Sequence, residues 1–277
     1  MSGRLSGKVA FITGAARGQG RSHALRFAEE GADIIALDIC KQIDTVEYAM
    51  ATPDDLAETV RLVEQLDRRI VAREADVRDM AAVQAVLDEG LAEFGRVDCV
   101  SANAGIMPLV GTPGQDPQAW HDSLDVMLTG VYHTVEAAYP TMVKAGQGGA
   151  IVLTSSTAGV KGMARGLEGL GPGYFGYTAA KHGVVGLMRI YANALAPSSI
   201  RVNTVHPTGV NTPMVANEEF AIWAAENQNV AAGMQNALPV QLVEPLDISN
   251  AVVWLCTDEA RYITGSMIPV DAGIINR

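Results

Sequence analysis

An α/β fold, doubly wound around a parallel seven-stranded sheet, is predicted by three observations. Short β-branched runs alternate with helical stretches along the whole chain. No linker, repeat or low-complexity tract breaks that alternation, so residues 1–277 read as a single domain. A glycine-rich turn lies directly between the first apolar run and the first helical stretch, where such folds bind ligands.

The elements follow in order. Residues 8–13 (KVAFIT) form the first strand and 18–30 the first helix; 33–38 (DIIALD) form the second strand. Further strands are expected at 70–75, 97–102, 150–155, 201–206 and 266–270. Helical patterns lie near 53–67, 80–94, 120–145, 175–195 and 245–257. Three segments depart from the alternation. Residues 40–52 lengthen the connection after the second strand as an insertion, 160–173 form a glycine-rich loop, and 211–240 precede the last helix as a long loop. Loops at the carboxyl ends of parallel strands carry ligand sites, so these are the expected pocket walls.

Composition narrows the function classes. The chain has 20 basic and 31 acidic side chains, a net charge of −11, which disfavours nucleic acid as a partner. Charges and glycines interrupt every apolar run well short of the ~18 residues a membrane span needs. Residues 1–8 have no apolar signal-peptide core, and Cys40, Cys99 and Cys256 are odd in number and widely spaced. A reducing, cytoplasmic setting without disulfides or zinc is expected. None of His23, His121, His133, His182 and His206 falls into metal-ligand spacing, so each is read as structural or surface, with no metal site.

The turn Thr13-Gly14-Ala15-Ala16-Arg17-Gly18-Gln19-Gly20 offers residues without a Cβ and a helix N-terminus to a pyrophosphate, with Gly14, Arg17, Gly18, Gln19 and Gly20 as candidate contacts. This makes the predicted fold Rossmann-type. Asp38 ends the second strand, followed by Ile39; a carboxylate there accepts hydrogen bonds from both adenosine ribose hydroxyls and repels a 2′-phosphate. Arg17 points the other way, being able to receive that phosphate. Asp38 sits closer to the ribose edge, so NAD is favoured over NADP. Asp76 and Val77 after the third strand are placed beside the adenine, and Asn103, Ala104 and Gly105 after the fourth let backbone lie along the cofactor.

Tyr177 and Lys181 share one helical face at i, i+4. A phenol with an ordinary pKa near 10 needs roughly 4 kcal/mol of preferential phenolate stabilisation to serve as a base near neutral pH. A nearby ammonium and a nicotinamide cation together can supply it. Ser156, at the end of the fifth strand, can orient a substrate oxygen toward Tyr177, with Ser155 as its rival. Met107, Leu109, Met163, Val210, Phe220 and Trp223 are the candidate substrate contacts, and their apolar character points to a small hydrophobic alcohol.

With these residues in view, the chain resembles the short-chain dehydrogenase/reductase family over nearly its whole length. The TGxxxGxG loop, Asp38, Asp76, Asn103-Ala104-Gly105, Ser156 and the YxxxK pair carry the likeness, with Ile200-Arg201-Val202-Asn203, Pro207 to Met214, Thr264-Gly265 and Asp271-Ala272-Gly273. The resemblance implies that Tyr177 is the acid/base, that Lys181 lowers its pKa and holds the ribose, and that Ser156 binds the reacting oxygen. It implies that Thr212 and the Val210 backbone, next to Pro207, contact the carboxamide. A homotetramer is also implied, with the helices near 120–145 and 175–195 at one interface.

Asp38-Ile39-Cys40, the 51–56 segment and 206–214 look like the carveol-dehydrogenase-like, mycofactocin-associated branch. That likeness implies an insertion capping a tightly held NAD, reoxidised in place by mycofactocin or a redox protein. One departure stands out: Met127 occupies the position of a family Asn that holds a water linking Lys to solvent, which a thioether does poorly. The function expected is NAD-dependent oxidation of a secondary alcohol such as carveol. The alternatives are an NADP-dependent ketone reductase, resting on Arg17, and a catalytically decayed NAD-binding sensor or scaffold, resting on Met127.

Overall fold

Seven parallel strands follow the order β3-β2-β1-β4-β5-β6-β7 in a computed structural model, which describes residues 3–162, 164, 166–167 and 169–277. They are β1 (Val9–Thr13), β2 (Asp33–Asp38), β3 (Ile70–Glu74), β4 (Cys99–Ala102), β5 (Gly149–Thr154), β6 (Ile200–Pro207) and β7 (Met267–Val270). The helices are α1 (Gly18–Glu29), α2 (Pro53–Glu64), α3 (Met80–Phe94), α4 (Gln118–Leu124), α5 (Gly130–Ala145), α6 (Pro172–Leu195), α7 (Glu218–Glu226), α8 (Gln228–Gly233) and α9 (Pro245–Cys256).

Both faces of the sheet are buried, as a parallel sheet requires. Phe11, Ile35, Leu37, Val100 and Ile151 point into the core shared with α3, α5 and α6. Their neighbours Ala10, Ile12, Ile34, Ala36 and Val152 point into the core beneath α1 and α9. Because β1 pairs with β2 on one side and β4 on the other, the strand order reverses there and opens a crevice at the strands' carboxyl ends.

The structure corrects some boundaries. The helix expected near 120–145 is two helices, α4 and α5, joined by a widened π-type turn at Asp125–Thr129. Gly130 begins α5 where a Cβ would come within 2.6 Å of the Val77 side chain, so helix and β3–α3 connection pack closely. The stretch 211–240 is not all loop, since it contains α7 and α8. Asn217 caps α7 by accepting the Phe220 N–H at 2.7 Å, and Glu218 and Glu219 complement the helix dipole. The expected loop 160–173 ends inside α6, whose first turn carries Pro172.

Candidate active site

The glycine-rich turn forms the floor of a cleft at the β1–β4 crevice. Gly14 adopts φ +69°, and a Cβ there would lie 2.8 Å from the Ala104 Cα. Thr13 Oγ1 accepts the N–H groups of Asn103 and Ala104, each at 3.1 Å, while Asn103 Nδ2 donates to the Thr13 carbonyl. The ends of β1 and β4 are thereby tied together, and Gly105 follows at the cleft wall.

Asp38 is buried at the end of β2, its two oxygens accepting the N–H groups of Ala16 (2.9 Å) and Cys40 (3.2 Å). Burial pushes its carboxyl above the ordinary value, against those bonds and the nearby Arg17. The Arg17 guanidinium donates to the carbonyl of Ala49, within the insertion. Gly18, Gln19, Gly20, Ile39, Asp76 and Val77 line the same cleft, and the Gln19 Oε1 atom is buried without a partner. Burial works to raise the Asp76 carboxyl, but its ion pair with Arg78 (2.7 Å) and the Arg78 N–H hold it below the ordinary range.

Residues 40–52 contain no helix or strand, yet Ile43, Val46, Tyr48 and Ala51 are buried. Gln42 organises the segment, donating to the Val46 carbonyl at 2.7 Å and accepting from the Met50 N–H at 3.0 Å. Thr45 Oγ1 donates to Asp122 on α4 (2.7 Å), and the Tyr48 hydroxyl accepts the Met107 N–H (3.2 Å). Ile43, Tyr48 and Met50 thus become cleft wall. Sequence reasoning placed the insertion here but did not single out Tyr48.

A second cavity opens beside the first and shares Gln19, Asn103, Gly105, Thr212 and Met214 with it. Ser156, Tyr177 and Lys181 meet on its wall. Ser155 commits its hydroxyl to the Lys181 carbonyl (2.8 Å), which leaves Ser156 as the serine facing Tyr177. His206 Nδ1 sits 2.8 Å from the Ser156 carbonyl oxygen and Nε2 2.8 Å from Thr204 Oγ1, a structural role. Lys181 is 4% exposed, donates to the Thr154 carbonyl (2.9 Å), and has its Nζ 5.7 Å from the Tyr177 ring centre. Burial pulls its pKa down to about 8. Burial also pushes the Tyr177 phenol up, with the hydrogen bond to Ser156 acting the other way. The expectation that Lys181 lowers the phenol is therefore not met by the protein alone, because desolvation of both groups dominates.

The apolar wall includes Met107, Leu109, Val210 and Phe220 as expected, next to Pro207. Trp223 is a correction. It is 6% exposed and packs behind Phe220, ring centres 5.6 Å apart, rather than lining the cavity. Met163 lies outside the described residues. Tyr174, Met234, Leu242 and Ile274 were missed; Ile274 arrives from the C-terminal end, over a sequence distance that no local pattern spans.

A family model described as enoyl-(acyl carrier protein) reductase matches residues 14–275. The chain is 47% identical over 279 residues to (−)-trans-carveol dehydrogenase of Rhodococcus erythropolis, covering 98% of each. It belongs to the short-chain dehydrogenase/reductases. A relative within the family, an uncharacterized oxidoreductase of Mycobacterium tuberculosis, is 57% identical over 275 residues, covering 99% of this chain and 98% of the relative. The crystal structure of carveol dehydrogenase from Mycobacterium avium in complex with NAD superposes with a TM-score of 0.90 at 48% identity, covering 99% of this chain and all of that one. This short-chain dehydrogenase/reductase is an oxidoreductase of the carveol-dehydrogenase-like branch.

Proposed function

We propose that this enzyme oxidises a small hydrophobic secondary alcohol, of the carveol type, to its ketone with NAD as acceptor. The observation that carries the reading is the meeting of Ser156, Tyr177 and Lys181 in an apolar cavity continuous with the glycine-floored cleft. The cleft fits a dinucleotide. Gly14 leaves no room for a Cβ, Asp38 presents a carboxylate at the ribose end, and Gln19 Oε1 has no protein partner. When bound, NAD supplies the ring carbon that accepts hydride.

The remaining chemistry belongs to the chain. The first-helix N-terminus and loop glycines hold the pyrophosphate, Asp38 the adenosine ribose, Asp76 and Val77 the adenine edge, and Thr212 with the Val210 backbone the carboxamide. Ser156 positions the alcohol oxygen, Tyr177 takes its proton, and the Lys181 ammonium stabilises the resulting charge distribution while holding the second ribose. Arg17 donates to the Ala49 carbonyl, and its charge stands near Asp38, which supports a role in holding the insertion over the cleft rather than in receiving a 2′-phosphate.

The same Arg17–Ala49 bond and the Tyr48–Met107 bond support a cofactor held under the insertion and reoxidised in place by mycofactocin or a redox protein. A homotetramer is proposed for the assembly. The test is a panel of cyclic and terpenoid alcohols with NAD and an artificial electron acceptor. Turnover that favours NAD and disappears in Tyr177→Phe is expected; a panel without turnover, or better turnover with NADP, overturns the reading. Retention of NAD through desalting checks the capped cofactor.

A further inference from the structure

Helix α6 brings a second phenol to the substrate cavity. Tyr174 lies three residues before Tyr177, so both project from the same helical face, about 5–6 Å apart at their Cβ atoms. Two neighbouring glycines fix which way that face points. A Cβ on Gly173 would lie 1.8 Å from the Pro108 carbonyl oxygen, and one on Gly176 would lie 2.9 Å from the Trp120 Cα. The start of α6 is therefore pressed against Pro108 and α4 and cannot roll. Tyr174 and Tyr177 are left facing the cavity that both of them line.

Tyr174 is 7% exposed, and its ring packs in the apolar core. Its hydroxyl makes no hydrogen bond to any described residue. Buried phenol hydroxyls ordinarily find a partner, because stripping one of water without replacement is costly. Elsewhere on the same wall, Thr208 donates to Asn236 Oδ1 (2.7 Å) and Thr212 to the Val210 carbonyl (3.3 Å). Burial raises the Tyr174 phenol to about 12, so it keeps its proton near neutral pH and remains a donor. The reacting oxygen is already served by Ser156 and Tyr177. A donor one helical turn away meets a different atom of the bound molecule.

We propose that Tyr174 is a specificity-determining residue that donates a hydrogen bond to a second oxygen of the substrate. The substrate is then an alicyclic secondary alcohol bearing a further hydroxyl or carbonyl. This deepens the alcohol-oxidation reading and rests on it. A six-membered ring with its carbinol at Ser156 and Tyr177 carries a substituent on its far side about 5 Å away, close to the one-turn spacing of the two tyrosines.

The test sets oxygen-bearing alcohols against hydrocarbon alcohols of equal size. The probes are 1,3- and 1,4-cyclohexanediol against 3- and 4-methylcyclohexanol, with NAD, in the wild-type enzyme and in Tyr174→Phe. Phenylalanine keeps the ring in the core and removes a hydroxyl bonded to nothing in the chain, so the variant is expected to keep its Tm. It is expected to lower kcat/KM for the diols about tenfold, mainly through KM, and to leave the methylcyclohexanols unchanged. The same diol-to-methylcyclohexanol ratio in both proteins overturns the proposal. An equal fall with both kinds of alcohol and a shifted pH profile also overturns it, since Tyr174 would then act through Tyr177. Should no alcohol be oxidised even with an artificial acceptor, the alcohol reading falls. Ligand-observed NMR titration of the NAD-loaded proteins with the same pairs then decides the role of Tyr174. Diol binding weakened selectively in Tyr174→Phe supports the contact, and unchanged diol binding overturns it.

Discussion

At Lys181 the demands of catalysis and stability oppose each other. Its ammonium is buried, so its pKa falls from 10.5 to about 8. The unfolded chain therefore binds more protons than the folded one between about pH 8 and 10.5, and stability rises across that window. Below about pH 8 the full penalty is present, on the order of 3 kcal/mol at 1.36 kcal/mol per pKa unit. Lys181→Met is thus expected to raise Tm at pH 7 while removing activity, and to lose its advantage as the pH approaches 10.5. Thermal melts of both proteins at pH 7 and pH 10 check the sign. A lower Tm for the variant at pH 7 would mean that the bond to the Thr154 carbonyl outweighs desolvation. Tyr177→Phe is a cleaner loss, since it removes one hydroxyl from a ring that keeps its packing. It should lower kcat by about 10²-fold or more while NAD still binds, read by turnover and by isothermal titration.

The insertion 40–52 is the element most open to direct test. It has no regular structure, and its order comes from a few bonds: Gln42 to its own carbonyls, Tyr48 to Met107, Thr45 to Asp122 and Arg17 to Ala49. Arg17→Ala removes a charged donor, worth about 1.5–3 kcal/mol, and should speed NAD dissociation by at least about tenfold, measured by cofactor exchange in stopped flow. Unchanged exchange would show that Arg17 does not hold the insertion closed. The sequence shows where this segment lies, because it interrupts the strand–helix alternation, but not which side chains point into the cleft. Local signals were read well where chemistry is local. DIIALD is a strand to the residue, and the i, i+4 spacing of Tyr177 and Lys181 survives in α6. The π-type turn at Asp125–Thr129 left no mark, since apolar Leu124, Met127, Leu128 and Val131 continue the i, i+3/i+4 pattern through it. The cap Asn217 and the acids after it did signal α7, but a long loop was expected there, and Trp223 was read as pocket when its helix turns it inward. Ile274 reaches the site only through the closed fold, and no pattern around it announces it.

For the whole molecule, the distribution of apolar surface and charge makes the proposed assembly testable. Trp120 (36% exposed) and Phe175 (52%) flank one shallow groove on α4 and α6, while Tyr132 (44%) and Ile190 (62%) add exposed apolar area on α5 and α6. Of these helices, α4 and α6 pack closely on one another inside the chain. Clusters of large exposed apolar side chains mark contact surfaces. Each chain carries a net charge of −11, so bringing copies together costs repulsion that salt screens over about 8 Å at physiological strength. If the proposed homotetramer uses this surface, it is expected to persist near 150 mM salt and to shift toward smaller species at about 10 mM, where the screening length grows to about 30 Å. Ile190→Lys should give the smaller species at both salt levels while Tm stays close to the parent's, because the side chain is mostly exposed in the monomer. Sedimentation velocity at the two salt concentrations reads both effects. A tetramer that survives Ile190→Lys would move the interface away from α6, and a salt response of opposite sign would place acid–base pairs, rather than apolar contact, at the centre of the assembly.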